Sequence, residues 1–304
     1  MNKKKATIIA VCILIVAIIG VIFIGEQRKN KSNKESYNSE VVKVESNKEE
    51  EKAPKEEEKK DEVKISLVEN TKGIPVLYYH SIGDDGNGDE LVVPTDKFKE
   101  QMKYLKDNNY HTLSIDEFYG YVKNGDKVPE NAILITFDDG YKNNYENAYP
   151  VLKEYGFKAT IFVITDMVDK VGLYLTTDQI KELSKNNIDI GSHTVNHENL
   201  SSTSRENTKK TLKDSKEFLE KIVGKPVTSI AYPFGVYDAA TINSVKEAGY
   251  TIGFSTDMGW AKGKTDEYKV KRVYVNATKD MDVFKERLSN PCLLYTSPSP
   301  RDTE

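Results

Sequence analysis

Apolar and polar positions along the chain fall into three regimes. Residues 6–24 form one apolar run without an ionisable side chain, preceded by Lys3, Lys4 and Lys5 and followed by Glu26, Gln27, Arg28 and Lys29. At about 1.5 Å per residue a helix of that length spans roughly 28 Å, close to a bilayer's hydrocarbon thickness. Residues 26–64 carry eleven basic and twelve acidic side chains and one aromatic, Tyr37. Such a stretch cannot bury enough apolar surface to offset its ordering entropy, and it reads as a disordered linker. From 65 to 291 short apolar runs alternate with segments in which apolar positions recur every three to four residues.

The short runs predict strands at 74–79, 132–137, 159–164, 188–192, 229–232, 251–255 and 270–275. Helical spacing appears at 95–108, 114–124, 143–155, 177–185, 204–223 and 238–248, with a further amphipathic stretch at 282–288. Regular strand–helix alternation implies right-handed crossovers and a mostly parallel sheet, hence an α/β fold. Six or more such units suit a barrel, but periodicity alone allows an open sheet as well.

Composition refines the picture without changing it. Of 304 residues 30% are charged and the formal net charge is −4, a near-balance that argues for neither nucleic acid nor an acidic polymer as partner. The Lys, Asn and Tyr content suits an AT-rich bacterial genome. Cys12 and Cys292 both lie outside the 65–291 region, so a metal site there must use histidines and carboxylates. The lysines before the apolar run predict a membrane anchor at 1–25, uncleaved, with the rest of the chain extracellular. A cleaved signal segment is the alternative, and lipidation at Cys12 is disfavoured by bulky Val11. Residues 292–304 break with the preceding pattern and resemble the conceptual translation of a sequencing adapter. They are expected to be non-native, a genuine disordered tail being the alternative.

The candidate chemistry sits at strand ends, which face the ligand crevice in parallel α/β folds. The 132–137 strand runs into Asp138, Asp139 and Gly140. Adjacent carboxylates repel unless a cation or proton divides their roles, and glycine permits a sharp turn that presents both. Alone, the triplet is more often a capped turn. The 188–192 strand runs into His193 and His197, whose spacing lets both meet one ion. A lone histidine is usually structural, yet two of the chain's four histidines fall here. With one carboxylate they make a set that leaves open positions for water and substrate, suited to zinc or a related divalent ion. A third strand end carries Tyr232, Pro233, Phe234 and Gly235. That turn either aims N–H groups at a developing oxyanion or simply precedes a helix capped by Asp238.

Together the runs 136–140, 192–197 and 232–235 resemble the ordered motifs of the polysaccharide deacetylase family, carbohydrate esterase family 4, over roughly residues 74–288. The resemblance implies a distorted (β/α) barrel, preceded here by the transmembrane helix and linker. It implies Asp139, His193 and His197 as metal ligands and Asp138 as general base. It also implies that the stretch around Tyr232 lines the substrate groove and supplies an oxyanion-stabilising amide, taken as that of Tyr232. Two departures stand out: most members have Arg at the position of Ala231, and most have a late histidine, whereas none follows His197. A subgroup resembling poly-N-acetylglucosamine deacetylases has an early Tyr-His pair, matched by Tyr79 and His80, which gives His80 the general-acid role. Arg272 is the candidate to pair with Asp138. Trp260 either walls the site or serves core or rim packing, and His111 reads as structural. The implied cofactor is one divalent ion, Zn2+ or else Co2+ or similar. The implied reaction removes N-acetyl groups from N-acetylglucosamine-type residues of peptidoglycan or poly-N-acetylglucosamine. An O-deacetylase and an impaired carbohydrate-binding protein are the alternatives. Implied partners are the amino-sugar polysaccharide and, through 1–25, the membrane, with no nucleic acid.

Overall fold

All seven apolar runs form strands in the computed structural model, which describes residues 65–291 except 171. They are β1 (Val76–Tyr79), β2 (Ala132–Phe137), β3 (Ala159–Val163), β4 (Ile188–Ser192), β5 (Ser229–Ala231), β6 (Ile252–Met258) and β7 (Val270–Tyr274). The predicted anchor at 1–25, the linker at 26–64 and the tail at 292–304 lie outside the described residues. Among those described, no helix is long and apolar enough to cross a membrane.

Every β1–β7 pairing is parallel, and β1 is bonded on both edges. It pairs with β2 (Leu77 opposite Ile135) and with β7 (Leu77 opposite Val273). The sheet therefore closes as a seven-stranded barrel, which settles the question that periodicity leaves open. Closure explains why β2 reads as an unbroken apolar run: all six of its residues are buried, with the barrel interior on one face and helices on the other.

Among the described residues seven α-helices accompany the strands: α1 (Thr95–Asp107), α2 (Ile115–Asn124), α3 (Tyr149–Tyr155), α4 (Thr177–Ser184), α5 (Arg205–Val223), α6 (Ala239–Glu247) and α7 (Met281–Ser289). Outward strand residues such as Leu77, Ile133, Ile135, Ile161 and Val273 share one hydrophobic layer with helical Phe98, Leu152, Leu212 and Phe284. Inward residues Val76, Leu134, Phe162, Ile252, Phe254 and Val270 form a second cluster with Ile115, Phe118, Tyr121 and Val122 of α2. Phe118 stacks on Phe254 with ring centres 5.9 Å apart. Helix α2 thus plugs the N-terminal end of the barrel. Its own start is fixed by a capping box between Ser114 and Glu117.

One element departs from expectation. The predicted 143–155 helix begins as a π-helical turn, Asn144–Ala148, before α3. Pro150 has no N–H for the residue four before it, which removes an α-type bond at the junction.

Candidate active site

Strand alternation aims the chemistry inward. Val76, Leu134 and Val270 belong to the interior cluster, so the two-residue period also turns His80, Asp138 and Arg272 into the barrel at its C-terminal end. His193 follows Gly191, whose missing side chain leaves room for the interior Phe162 ring: an added Cβ would lie 2.5 Å from it.

Asp139, His193 and His197 converge. One ligand atom from each lies within 4.8 Å of the other two. The Asp139 Oδ1 atom is 3.5 Å from His193 Nε2 and 3.7 Å from His197 Nε2. Tetrahedral coordination with bonds of about 2.0–2.1 Å separates ligand atoms by about 3.4 Å, so these spacings suit one shared divalent ion. The His193 Nδ1 lies 2.8 Å from the Ala231 carbonyl oxygen. Donation there leaves Nε2 with its lone pair facing the cluster, as a metal ligand requires. Backbone strain gathers at the same place. Asp139 (φ 74°), Thr194 (φ 67°), His197 (φ 58°) and Phe234 (φ 60°) all adopt left-handed conformations. Each costs on the order of 1–3 kcal/mol and persists only where surrounding structure enforces it.

Beside this cluster Asp138 is gripped by Arg272. Two parallel bonds run from Nη1 to Oδ1 (2.8 Å) and from Nη2 to Oδ2 (2.7 Å). The guanidinium is fully buried, donates from Nε to the Ser255 carbonyl at 2.8 Å, and lies 4.4 Å over the Tyr78 ring. Burial raises the Asp138 pKa, but Arg272, with His193 and His80 nearby, outweighs it and holds the carboxyl well below the ordinary carboxylate range. Arg272 stands on β7, so a guanidinium reaches the carboxylate although β5 offers only Ala231.

His80 occupies the position after β1 that Asp138 occupies after β2. Tyr79 is opposite Phe137, and the Asp138 N–H donates to the Tyr79 carbonyl at 2.9 Å. His80 is 6% exposed, its ring between those of Tyr78 and Tyr274 at 5.9 and 6.5 Å. A clamp that sequence reasoning missed holds this segment. The Asn143 amide donates to Ser81 Oγ at 2.6 Å and its oxygen accepts from the Ile82 N–H at 3.3 Å. Asn147 donates to the Ile82 carbonyl at 2.7 Å. Asn147 lies within the π-helical turn and Asn143 at its N-terminal cap position, and such turns often mark functional sites. In sequence the pair reads only as polar helix surface.

Tyr232 is placed differently from the expectation. Its N–H donates to the Phe254 carbonyl at 2.9 Å and is committed to the barrel. Its side chain is fully buried, with the hydroxyl donating to the Tyr268 carbonyl at 2.9 Å and the ring stacked on Tyr237. It neither lines the groove nor offers an oxyanion donor. Pro233 has no N–H, so the next amide in the turn is that of Phe234, whose ring centre lies 4.5 Å from that of His197. Gly235 (φ 72°) completes the turn where no side chain fits, since a Cβ would come within 1.9 Å of Thr256 Oγ1. The Pro-Phe-Gly run signals a turn but not which N–H the neighbouring strand leaves over.

Two further residues fall away from the site. Trp260 packs on the outer hydrophobic layer and donates to the Arg287 carbonyl at 3.1 Å. His111 pairs with Ala132 at the start of β2, the end opposite Asp138.

Comparison with known proteins agrees with this arrangement. The profile of the polysaccharide deacetylase family matches residues 125–253. YxkH of Bacillus subtilis (strain 168), assigned to the polysaccharide deacetylases, is 38% identical over 208 residues, covering 68% of this chain and 73% of its own. The poly-beta-1,6-N-acetyl-D-glucosamine N-deacetylase of Staphylococcus aureus (strain MRSA252) is 30% identical over 197 residues, 60% of this chain and 68% of that one. Among solved structures, Streptococcus pyogenes deacetylase PplD in complex with acetate superposes with a TM-score of 0.68 at 29% identity, over 73% of this chain and all of that one. With a closed barrel, a convergent Asp-His-His cluster and relatives of this kind, the chain belongs to the polysaccharide deacetylase family.

Proposed function

We propose that this protein is a metal-dependent hydrolase that removes N-acetyl groups from N-acetylglucosamine-type residues of a cell-envelope or biofilm polysaccharide. The observation that carries the reading is the Asp139, His193 and His197 cluster set beside an Asp138 carboxylate held ionised by Arg272. A divalent ion bound by the three ligands, zinc or a similar ion, supplies a Lewis acid and lowers the pKa of water. Asp138 accepts a proton as the water oxygen bonds to the acetamide carbon. The Phe234 N–H donates to the carbonyl oxygen as it gains charge. His80 then gives a proton to the amide nitrogen while the C–N bond breaks, leaving acetate and a free amine. The poly-beta-1,6-N-acetyl-D-glucosamine relative supports an N-acetylated amino sugar as substrate.

Acetate release from β-1,6-linked N-acetylglucosamine oligomers and from peptidoglycan fragments, with acetylated xylan as a third substrate, tests this reading. We expect release from at least one amino-sugar polymer. Acetate from xylan alone, or from none of the three, sinks the assignment. Asp138→Asn should lower turnover by at least a hundredfold while zinc binding persists, and His80→Ala should do so on the order of tenfold to a thousandfold. Near-wild-type turnover in either variant removes that residue from its role.

The same proposal places the catalytic domain outside the cell, tethered by 1–25 through the 26–64 linker. The apolar run after three lysines supports that placement. Protease treatment of intact cells should release a soluble fragment active on the polymer, and full protection of the domain contradicts this topology.

A further inference from the structure

The chain leaving the ligand cluster passes into a feature the reaction does not use. Asp139 and Gly140 both have positive φ, and Tyr141 follows at once. Two steps of about 3.8 Å keep its Cα within about 7.6 Å of that of Asp139. The segment between β3 and α4 returns to meet it. Tyr141 and Tyr174 form an antiparallel bridge. The Lys142 N–H donates to the Leu173 carbonyl at 2.8 Å, and the Leu175 N–H donates to the Gly140 carbonyl at 3.0 Å. This ladder fixes the two tyrosine rings in a stack, 5.3 Å between centres and 19° between planes.

Core packing does not account for the stack. Half-buried Tyr104, Tyr110, Tyr145 and Tyr155 all pack against the outer hydrophobic layer, whereas Tyr141 and Tyr174 belong to neither cluster among the described residues. Leu175, fully buried, anchors the returning segment, while Leu173 beside it is 68% exposed. Of the five large apolar side chains exposed among the described residues, Leu173 and Val236 stand on loops that border the ligand cluster. Leu173 thus adds exposed apolar surface beside the tyrosine pair. Rigid aromatic rings with few torsions to freeze make contact area at low entropic cost, and a pyranose offers them its flat C–H face.

We propose that Tyr141 and Tyr174 form a carbohydrate subsite that holds the sugar next to the one being deacetylated. The proposal rests on the amino-sugar deacetylase reading and extends it: the protein selects chain segments over single sugars. The subsite acts by stacking, so ring identity matters more than the hydroxyls.

The test compares the full chain with Tyr141→Ala/Tyr174→Ala and Tyr141→Phe/Tyr174→Phe. Calorimetric binding and acetate release are measured with β-1,6- and β-1,4-linked N-acetylglucosamine pentamers and with monomeric N-acetylglucosamine. The alanine pair should raise KM and Kd for the preferred pentamer about tenfold, with a smaller change for the monomer and for kcat. The phenylalanine pair should restore most of the affinity. Unchanged pentamer binding in the alanine pair overturns the proposal, as does equal loss on monomer and pentamer, or no pentamer binding by the wild type. Binding that the alanine pair weakens, without acetate release by the wild type, keeps the subsite and removes the deacetylase reading. Acetate release with an unshifted pentamer KM does the reverse.

Discussion

Arg272→Met should abolish acetate release and lower stability by about 3–5 kcal/mol, the usual cost of leaving a buried charge without its partner. The residue is fully buried and makes both bonds to Asp138 as well as one to the Ser255 carbonyl. For a domain of this size that loss corresponds to roughly 6–20 °C in melting temperature. Most of it comes from the stranded carboxylate, which a second substitution isolates. Arg272→Met/Asp138→Asn should melt well above Arg272→Met alone, because the remaining group is neutral, yet stay inactive. Arg272→Lys keeps the charge but loses the fork and the Ser255 bond, so it should fall between wild type and the methionine variant on both readouts. Thermal denaturation of the four proteins beside acetate release checks each step. A methionine variant that turns over normally shows that Asp138 does not depend on this guanidinium.

Much of this arrangement is legible in sequence because a barrel strand buried on both faces leaves a contiguous apolar mark. The runs at 132–137 and 188–192 match β2 and β4 at both ends. Closure is not legible, since it rests on Leu77 meeting Ile135 and Val273, partners far away in the chain. The ligand trio is visible because histidines are scarce, and Arg272 comes into view because Ala231 leaves Asp138 without a partner on β5. The conformations that make the trio converge are hidden. Asp139, Thr194, His197 and Phe234 are ordinary residues held at positive φ by tertiary structure. Tyr232 shows the same limit: whether its N–H is free depends on Phe254 in the next strand. Asn143 and Asn147 depend on a π-helical turn that no periodicity announces.

Removing divalent ions with a chelator should abolish acetate release, and restoring zinc should recover it together with a rise in melting temperature. A ligand that binds only the folded state at 100 times its Kd adds about 2.7 kcal/mol. That is roughly 5–11 °C for a domain of this length. The apo state carries a particular burden: a carboxylate 2% exposed, at φ 74°, facing two imidazoles. Asp139→Asn separates the contributions. Asparagine tolerates the left-handed conformation and is neutral, so the desolvation cost of the buried charge disappears. The variant should be inactive and show no zinc-dependent shift, yet without metal it should melt at or above the metal-free wild type. His197→Ala should also lose the zinc shift, but without that gain, because no buried charge is removed. A chelated wild type that keeps turning over, or an Asp139→Asn protein that zinc still stabilises, would show that these three residues do not hold the catalytic ion.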